Sequence, residues 1–283
     1  MRFSAETNTN LMSAKISTLL KCLVFWVLFL LVLLVTGRFL RPLFPPNWEQ
    51  FVYGTGGSAG AFLITWLFIK NEGKSLRSYA LNWEIGSGAR FFKGIFWGAA
   101  IFAVIIMALL FFGGLQIQRS SQEWEPVTIL WYLYILPLAF MEELAFRSYP
   151  FLKLKKVFGL RYTQFIVAIA FALYHVVTGW GWAIAFLGPG TWAFIFGIAA
   201  VWSKGIAMPT GIHVALNVSQ QLVGMKGGAA TPLWELTSNV KVDPGATSTA
   251  DSIGLLIQVL VLIAGLLLTE MYIRKKGHRV NTN

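Results

Sequence analysis

Residues 138–147 read LAFMEELAFR, which places Glu142, Glu143 and Arg147 inside an otherwise apolar stretch of the chain. Two other apolar stretches also contain polar groups, as FALYH at residues 171–175 and HVALN at residues 213–217. A charged side chain deep in a lipid bilayer is costly unless it faces a partner or a water-filled cavity, so such residues are functional candidates by default. The three motifs therefore define the candidate site.

The composition predicts an all-α, polytopic integral membrane protein. The chain has 283 residues, of which 56% are hydrophobic and 12% charged, whereas soluble domains average about 25% charged residues. We interpret residues 1–283 as a single membrane domain. The single cysteine, Cys22, excludes an internal disulfide framework.

Eight apolar stretches reach the length of about 20 residues that a membrane-spanning helix needs. The sixth contains Gly188-Pro189-Gly190, which should break or kink the helix. The predicted spans are about 17–37, 50–69, 94–114, 129–152, 162–180, 181–202, 205–224 and 252–273.

The distribution of Lys and Arg predicts the orientation, because cytoplasmic loops carry an excess of these residues. With eight spans and a cytoplasmic N-terminus, most of the 23 basic residues face the cytoplasm. The exceptions are Arg38, Arg41, Arg119, Lys226 and Lys241. We therefore expect an integral protein of a bacterial plasma membrane with both termini in the cytoplasm. This topology accounts for the net charge of +11 without a nucleic-acid partner, and the expected partners are membrane lipids and a membrane-associated peptide or protein substrate.

Helical spacing predicts how the motif residues are oriented, since residues four apart share a helix face. Glu143 and Arg147 should pair, while Glu142 points about 100° away and can face a site. Phe171 shares a face with His175 in the same way. We expect Glu143, Arg147 and Phe171 to support the site.

His213 and Asn217 likewise share a face of their helix. At a rise of 1.5 Å per residue, Glu142, His175 and His213 lie about 14–21 Å from the flanking basic residues Lys153, Arg161 and Lys204 of the predicted cytoplasmic side. These similar depths allow a site between the fourth, fifth and seventh spans, in the cytoplasmic half of the membrane.

The side chains are of the types needed to activate water for peptide hydrolysis. Glu142 can accept a proton from water that His175 holds, while His213 and Asn217 can donate to the oxyanion. Glu142, His175 and His213 could alternatively bind Zn²⁺, since two His and one Glu form a known catalytic zinc set. The chain lacks the H-E-x-x-H zinc motif, and both mechanisms stay open at this point.

The order E-E-x-x-x-R, F-x-x-x-H and H-x-x-x-N resembles that of the CAAX protease and bacteriocin-processing (CPBP) family, also called the abortive-infection or type II CAAX prenyl endopeptidase family. The resemblance covers a predicted catalytic core of about residues 127–224. It implies an intramembrane endopeptidase in which the first glutamate and the two histidines carry catalysis. Because family members have been called metalloproteases, it leaves metal dependence open. The matching residues are Glu142, Glu143, Arg147, Phe171, His175, His213 and Asn217.

Other functions fit parts of the pattern. The protein could be a non-catalytic membrane scaffold or immunity partner of the same fold, or an ion-coupled transporter in which Glu142 and the histidines form a proton relay. Residues 56–60, GGSAG, also fit the G-x-S-x-G motif of serine hydrolases. They lie within a predicted span, and Gly56 and Gly60 also form a G-x-x-x-G helix-packing motif. We prefer the packing interpretation.

Overall fold

The computed structural model describes residues 2–81, 84–123, 125–227, 230–238 and 247–281, and these residues are almost entirely helical. Within these residues the α-helices are α1 (Arg2–Val35), α2 (Pro46–Asn71), α3 (Ser87–Phe112), α4 (Thr128–Trp131), α5 (Ile135–Arg147), α6 (Tyr149–Val177), α7 (Trp182–Ala185), α8 (Thr191–Ser203), α9 (Ala207–Leu222) and α10 (Thr249–Asn281). Short 3₁₀ turns cover Arg41–Leu43, Leu76–Tyr79 and Tyr132–Tyr134, and π-helical turns cover Thr36–Leu40 and Phe186–Gly190. The expected all-α polytopic architecture is confirmed.

Six helical segments of the described chain are long and apolar enough to cross a membrane. The fourth runs over 50 residues, Thr128–Val177, more than twice the length of about 20 residues that one crossing requires. Its backbone leaves the helical conformation at Ser148 (φ −93°, ψ −116°) and again at Gly159 (φ 76°, ψ 172°). The 16 residues of α9 are too few for α9 to be among the six. The number of eight spans therefore stays a prediction.

The prolines and the Gly-Pro-Gly sequence have different local effects. Gly188-Pro189-Gly190 lies in a π-helical turn between α7 and α8, as expected of a break in this span. Pro137 lies in the first turn of α5, directly after the 3₁₀ turn at Tyr132–Tyr134. Pro209 is the third residue of α9, where the missing N–H is not needed by the helix. It therefore begins its helix instead of kinking it, contrary to the usual effect of an intramembrane proline.

Glycines allow the helices that carry the site to pack closely. A Cβ atom on Gly94 of α3 would lie 2.2 Å from the Met208 carbonyl oxygen of α9, and one on Gly211 of α9 would lie 2.2 Å from the Phe91 oxygen of α3. A Cβ atom on Gly54 of α2 would lie 2.8 Å from the Leu138 nitrogen of α5. Small residues permit this backbone approach, which fixes α5 and α9, the helices of the EExxxR and HxxxN motifs.

The GGSAG segment lies in the same α2–α5 contact. A Cβ atom on Gly57 would lie 2.5 Å from the Met141 sulfur, and one on Gly60 would lie 2.2 Å from Val32 Cγ1 of α1. The Ser58 hydroxyl donates a hydrogen bond of 2.9 Å to the Pro137 carbonyl oxygen. These contacts agree with helix packing as the role of this motif, and α2 is helical throughout it.

A short β-ribbon extends the α3–α9 pair beyond the helix ends. Strand β1 (Leu115–Arg119) follows α3, and β2 (Trp234–Ser238) follows α9. They pair antiparallel, with Leu115 opposite Ser238. We did not predict this ribbon, although the alternation of apolar and polar residues in LQIQ is typical of a strand.

At one end of the bundle, Glu72 ties several helices together. Its carboxylate accepts hydrogen bonds from Lys153 Nζ at 2.6 Å, the Tyr149 hydroxyl at 2.8 Å, the Tyr79 hydroxyl at 2.9 Å and Lys21 Nζ at 3.3 Å. Burial acts to raise the pKa of Glu72, but the hydrogen bonds from Lys153, Tyr149 and Tyr79 outweigh it and lower the pKa to about 2. The ionised carboxylate therefore joins α1, α2 and α6 at this end.

Candidate active site

The two adjacent carboxylates of α5 have different surroundings. The Glu143 side chain is completely buried, and its Oε2 lies 3.4 Å from Arg147 Nε, as the spacing predicted. The Glu142 side chain is 13% exposed and reaches a cavity between the helices. One carboxylate thus belongs to a buried ion pair, and the other is accessible to a reactant.

Arg147 is fully buried and is surrounded by aromatic rings. Its guanidinium carbon lies 4.3 Å from the centre of the Phe171 ring and 5.2 Å from that of Phe196. Among the residues that the structure describes, none of its three side-chain nitrogens has a hydrogen-bond partner. Glu143 and the faces of these rings therefore provide the interactions that hold this buried cation, and Phe171 thereby contacts the buried ion pair behind the cavity.

Glu143 also contacts a histidine of the third motif. Its Oε1 lies 2.9 Å from His213 Nδ1. Because a carboxylate only accepts hydrogen bonds, the ring carries its proton on Nδ1, and Nε2 is left facing Glu142 Oε2 at 3.7 Å. The Phe196 ring stacks on His213 with centres 4.7 Å apart. Glu143 thus connects Arg147 to His213 and fixes the orientation of the imidazole, a contact that the sequence did not predict.

His175 has the same tautomer for a different reason. Its Nδ1 lies 2.8 Å from the Phe171 carbonyl oxygen, which can only accept, so Nδ1 carries the proton and Nε2 has a free lone pair. The Tyr174 and Trp180 rings pack roughly perpendicular to the imidazole, with ring centres 4.8 and 5.1 Å away. The aromatic contacts and the backbone bond together hold the ring in place.

Tyr174 also contacts the exposed carboxylate. Its hydroxyl donates a hydrogen bond of 3.3 Å to Glu142 Oε1. Tyr174 lies within the FALYH motif but outside its i, i+4 pair of Phe171 and His175, so helical spacing does not single it out. It gives Glu142 a defined orientation at the cavity wall.

The carboxamide of Asn217 is oriented by a lysine outside the motifs. Lys226 Nζ donates a hydrogen bond of 3.1 Å to Asn217 Oδ1, which leaves Nδ2 as the donor that the carboxamide can offer elsewhere. Burial lowers the pKa of Lys226, and the negative charge of Glu142 partly offsets this shift. In the sequence, Lys226 stands out only as one of the basic residues on the predicted non-cytoplasmic side.

All four predicted catalytic residues line one cavity of about 520 Å³. Phe171 lines it as well, whereas Glu143 and Arg147 are not among its lining residues and lie behind it. The predicted catalytic residues in its wall are Glu142, His175, His213 and Asn217. The three motifs, carried by the adjacent helices α5 and α6 and by α9, thus meet at one cavity.

The cavity reaches one end of the helical bundle. It extends from Glu142 to Arg41, Thr178 and Lys226, which follow the ends of α1, α6 and α9. This end is opposite the one that carries Glu72. A site in the cytoplasmic half of the membrane stays a prediction, since helix rise gives the depth of a side chain and not the side on which space remains between helices.

The tautomers of the two histidines bear on the zinc alternative. Within the described part of the chain, no group of three His, Cys, Asp or Glu residues is already arranged around a metal position. Nδ1 of each histidine is engaged, by Phe171 in one case and Glu143 in the other, which leaves Nε2 of each ring available. Zinc-ligating histidines commonly bind the ion through one nitrogen while the other donates to a carbonyl or carboxylate. Zinc binding by Glu142, His175 and His213 therefore stays a prediction.

Comparison with known proteins agrees with the motifs. A family model described as type II CAAX prenyl endopeptidase Rce1-like matches residues 122–219. The matched segment includes all seven motif residues of the site. The comparison with curated proteins found no match. The family match is consistent with the CPBP resemblance, and it supports a CAAX-type intramembrane protease. Residues 122–219, which carry every motif of the candidate site, are therefore similar to the Rce1-like type II CAAX prenyl endopeptidase family.

Proposed function

We propose that this protein is an intramembrane endopeptidase that hydrolyses a peptide bond of a membrane-associated peptide or protein with water activated by Glu142 and His175. The observation that carries the proposal is the shared cavity. A carboxylate, two imidazoles with free Nε2 atoms and a carboxamide line it, and all lie in the segment that matches the family.

In the first step, the water molecule is held between Glu142 and His175. The Tyr174 hydroxyl orients the carboxylate at 3.3 Å, and His175 presents a lone pair because its Nδ1 bonds to the Phe171 carbonyl. Glu142 takes one proton as the water oxygen attacks the carbonyl carbon of the substrate. The carboxyl group then returns this proton to the leaving amine as the C–N bond breaks, and the water oxygen with its second proton stays in the new carboxylic acid, which ionises on release.

The charge that develops on the carbonyl oxygen needs a hydrogen-bond donor. Asn217 Nδ2 is available for this role, since the carboxamide oxygen is engaged by Lys226. His213 can add a second donor from Nε2 when it is the imidazolium, because its Nδ1 proton already bonds to Glu143. One donor of this kind contributes about 3–4 kcal/mol to the stability of the transition state in other hydrolases.

Substrate and location follow from the same proposal. The family description suggests a prenylated C-terminal peptide, whereas a bacterial chain would process another membrane-associated peptide. We propose a plasma-membrane location with both termini cytoplasmic, and catalysis that requires no metal. Zn²⁺ held by Glu142, His175 and His213 is the alternative use of the same residues.

Cleavage of a peptide library tests the proposal. The purified protein would be reconstituted in liposomes with a library of lipidated and unlipidated peptides, and new termini would be identified by mass spectrometry. We expect defined cleavage products with the wild type and none with Glu142→Gln or His175→Ala. Equal products from all three proteins would show that a contaminant cleaves the peptides. The absence of products from the wild type, together with gradient-driven solute uptake into the same liposomes, would favour the transporter.

A further inference from the structure

The contact between Lys226 and Asn217 has a consequence for catalysis. We propose that Lys226 is a positioning residue: its ammonium group holds the Asn217 carboxamide so that Nδ2 is directed toward the oxyanion. This inference rests on the proposed endopeptidase function and deepens it, because it explains what gives the oxyanion donor its orientation.

The location of Lys226 is set by the end of α9. The helix ends in a glycine cap, with Gly224 at φ 71° and hydrogen bonds from Gly224 N to Gln221 O at 3.1 Å and from Met225 N to Gln220 O at 2.9 Å. Such a cap is a common way to end a helix, and it fixes the direction of the next residues. Lys226 is the second residue after Gly224, so its backbone starts from a defined point.

The segment that follows is also attached to α9 and its neighbours. Leu233 N donates to Leu222 O at 3.0 Å, and the Gln221 carboxamide donates to Ala230 O at 3.0 Å. The Tyr132 hydroxyl donates to Thr231 O at 2.7 Å. These contacts hold residues 230–233 against α9 and against the 3₁₀ turn before α5. The capped end of α9 nevertheless fixes the backbone from which the Lys226 side chain reaches Asn217.

The chemistry of the two groups permits one arrangement. An ammonium group has donors and no acceptor, so the Asn217 oxygen must face Lys226 and the Nδ2 amide must face away from it. Without the lysine, the carboxamide can turn over and present its oxygen to the oxyanion, which would repel it. The hydrogen bond from the Lys226 ammonium to Asn217 Oδ1 is charge-assisted, and it is therefore stronger than a hydrogen bond between neutral groups.

Arg41, another cation in the cavity wall, differs from Lys226 in its partner. Arg41 also lines the cavity, but its Nε lies 2.7 Å from Glu49 Oε2 in an ion pair at the rim. Lys226 lines the same cavity and bonds to a predicted catalytic side chain instead. Lys226 is therefore suited to orient a group that acts on the substrate. Loss of this orientation should lower kcat and leave KM nearly unchanged.

A kinetic double-mutant cycle tests the inference. The variants are Lys226→Met, Asn217→Ala, the double variant and Lys226→Arg, with Lys74→Met as the control because Lys74 is exposed and lies outside the cavity lining. The probe is the library peptide that the wild type cleaves fastest. We expect Lys226→Met to lower kcat about 10-fold and to change KM by less than about 2-fold, since orientation of a donor affects the transition state.

Two further results should follow if Lys226 acts through Asn217. Lys226→Arg should recover most of the lost kcat, because it keeps a charged donor, and Lys74→Met should behave as the wild type. In the Asn217→Ala background, Lys226→Met should cause no further loss. Thermal unfolding in detergent would verify that each variant is folded, and Lys226→Ala would replace Lys226→Met if the latter were not.

The inference is overturned by any of three outcomes. The first is an unchanged kcat in Lys226→Met. The second is a loss of kcat in Asn217→Ala on adding Lys226→Met that is as large as the loss in the wild-type background. The third is a raised KM with an unchanged kcat in Lys226→Met, which would indicate that Lys226 binds the substrate directly. Its failure is distinguishable from failure of the proposed function. Cleavage by Glu142→Gln at the wild-type rate would overturn both, whereas an inactive Glu142→Gln beside an unaffected Lys226→Met would overturn the positioning role alone.

Discussion

Removal of the Arg147 guanidinium should destabilise the protein through the charge that it leaves behind on Glu143. Arg147→Met keeps much of the side-chain length and apolar contact with Phe171 but removes the cation that lies 3.4 Å from Glu143 Oε2. Both side chains are fully buried. Loss of one partner of a buried pair costs about 3–5 kcal/mol, because the other charge stays buried without compensation.

The second half of this cycle neutralises the remaining charge. Glu143→Gln keeps an oxygen that can accept the His213 Nδ1 proton, so in the Arg147→Met background it should recover at least half of the lost stability. At about 2–4 °C per kcal/mol for a chain of this size, Arg147→Met should lower Tm by about 6–20 °C, and the double variant should lie clearly above it.

Thermal unfolding in detergent, followed by tryptophan fluorescence, would measure all four proteins of the cycle. The chain offers a control in Arg161→Met, because Arg161 is exposed and pairs with Glu270 on the surface, where an ion pair contributes little. Strictly additive effects of Arg147→Met and Glu143→Gln would refute the reasoning, since they would mean that the two side chains do not interact.

Three further predictions concern the site and its support. Tyr174→Phe removes the hydrogen-bond donor to Glu142 Oε1. Because a long hydrogen bond contributes about 1 kcal/mol, this change should lower kcat about 5-fold with little change in Tm. An unchanged kcat would contradict this. The pKa of Glu72 is lowered from 4.5 to about 2 in the folded protein. The ionised carboxylate should therefore stabilise the folded protein by about 2–3 kcal/mol above pH 4.5, and this contribution should be lost as the pH falls toward 2. Tm measured from pH 6 to pH 3 should fall less steeply in Glu72→Gln than in the wild type, and parallel curves would contradict the assignment. If the chain's own groups activate water, cleavage should survive removal of metals with a chelator, whereas zinc at one ion per chain that tracks activity would favour the zinc alternative.

The sequence predicted those parts of the site that depend on local helix geometry. The i, i+4 rule placed Glu143 beside Arg147 and turned Glu142 away from the pair, and both features are present in α5. The cost of polar groups in an apolar environment identified His213 and Asn217, which line the cavity. Each of these inferences required only the 3.6-residue repeat within a single helix and no knowledge of how the helices pack.

Contacts between helices could not be predicted in this way. The bond from His213 to Glu143 joins residues 70 positions apart, and helical periodicity does not give the rotation of α9 relative to α5. Lys226 was overlooked because it is in a polar loop, where a basic residue is ordinarily read as a topology signal. Its spacing of nine residues from Asn217, about one and a half helical turns and a glycine cap, is a signal that could have identified it.

The number of spans and the β-ribbon show a similar limit. Hydropathy located the apolar stretches, but α9 has only 16 helical residues, and α4 to α6 form one apolar segment of 50 residues. Length alone therefore does not divide this region into crossings. The ribbon depends on pairing between residues 115–119 and 234–238, a long-range register that composition does not specify.

The most direct test of the account compares the kinetics of Glu142→Gln and Ser58→Ala on the library peptide that the wild type cleaves. Glu142→Gln preserves the shape of the side chain and removes the base, whereas Ser58 bonds to the Pro137 carbonyl and does not line the cavity. The account predicts that kcat falls by a factor on the order of 100 or more in Glu142→Gln, while Ser58→Ala cleaves at close to the wild-type rate. Abolished cleavage in Ser58→Ala with retained cleavage in Glu142→Gln would contradict water activation by Glu142 and would assign the reaction to the serine.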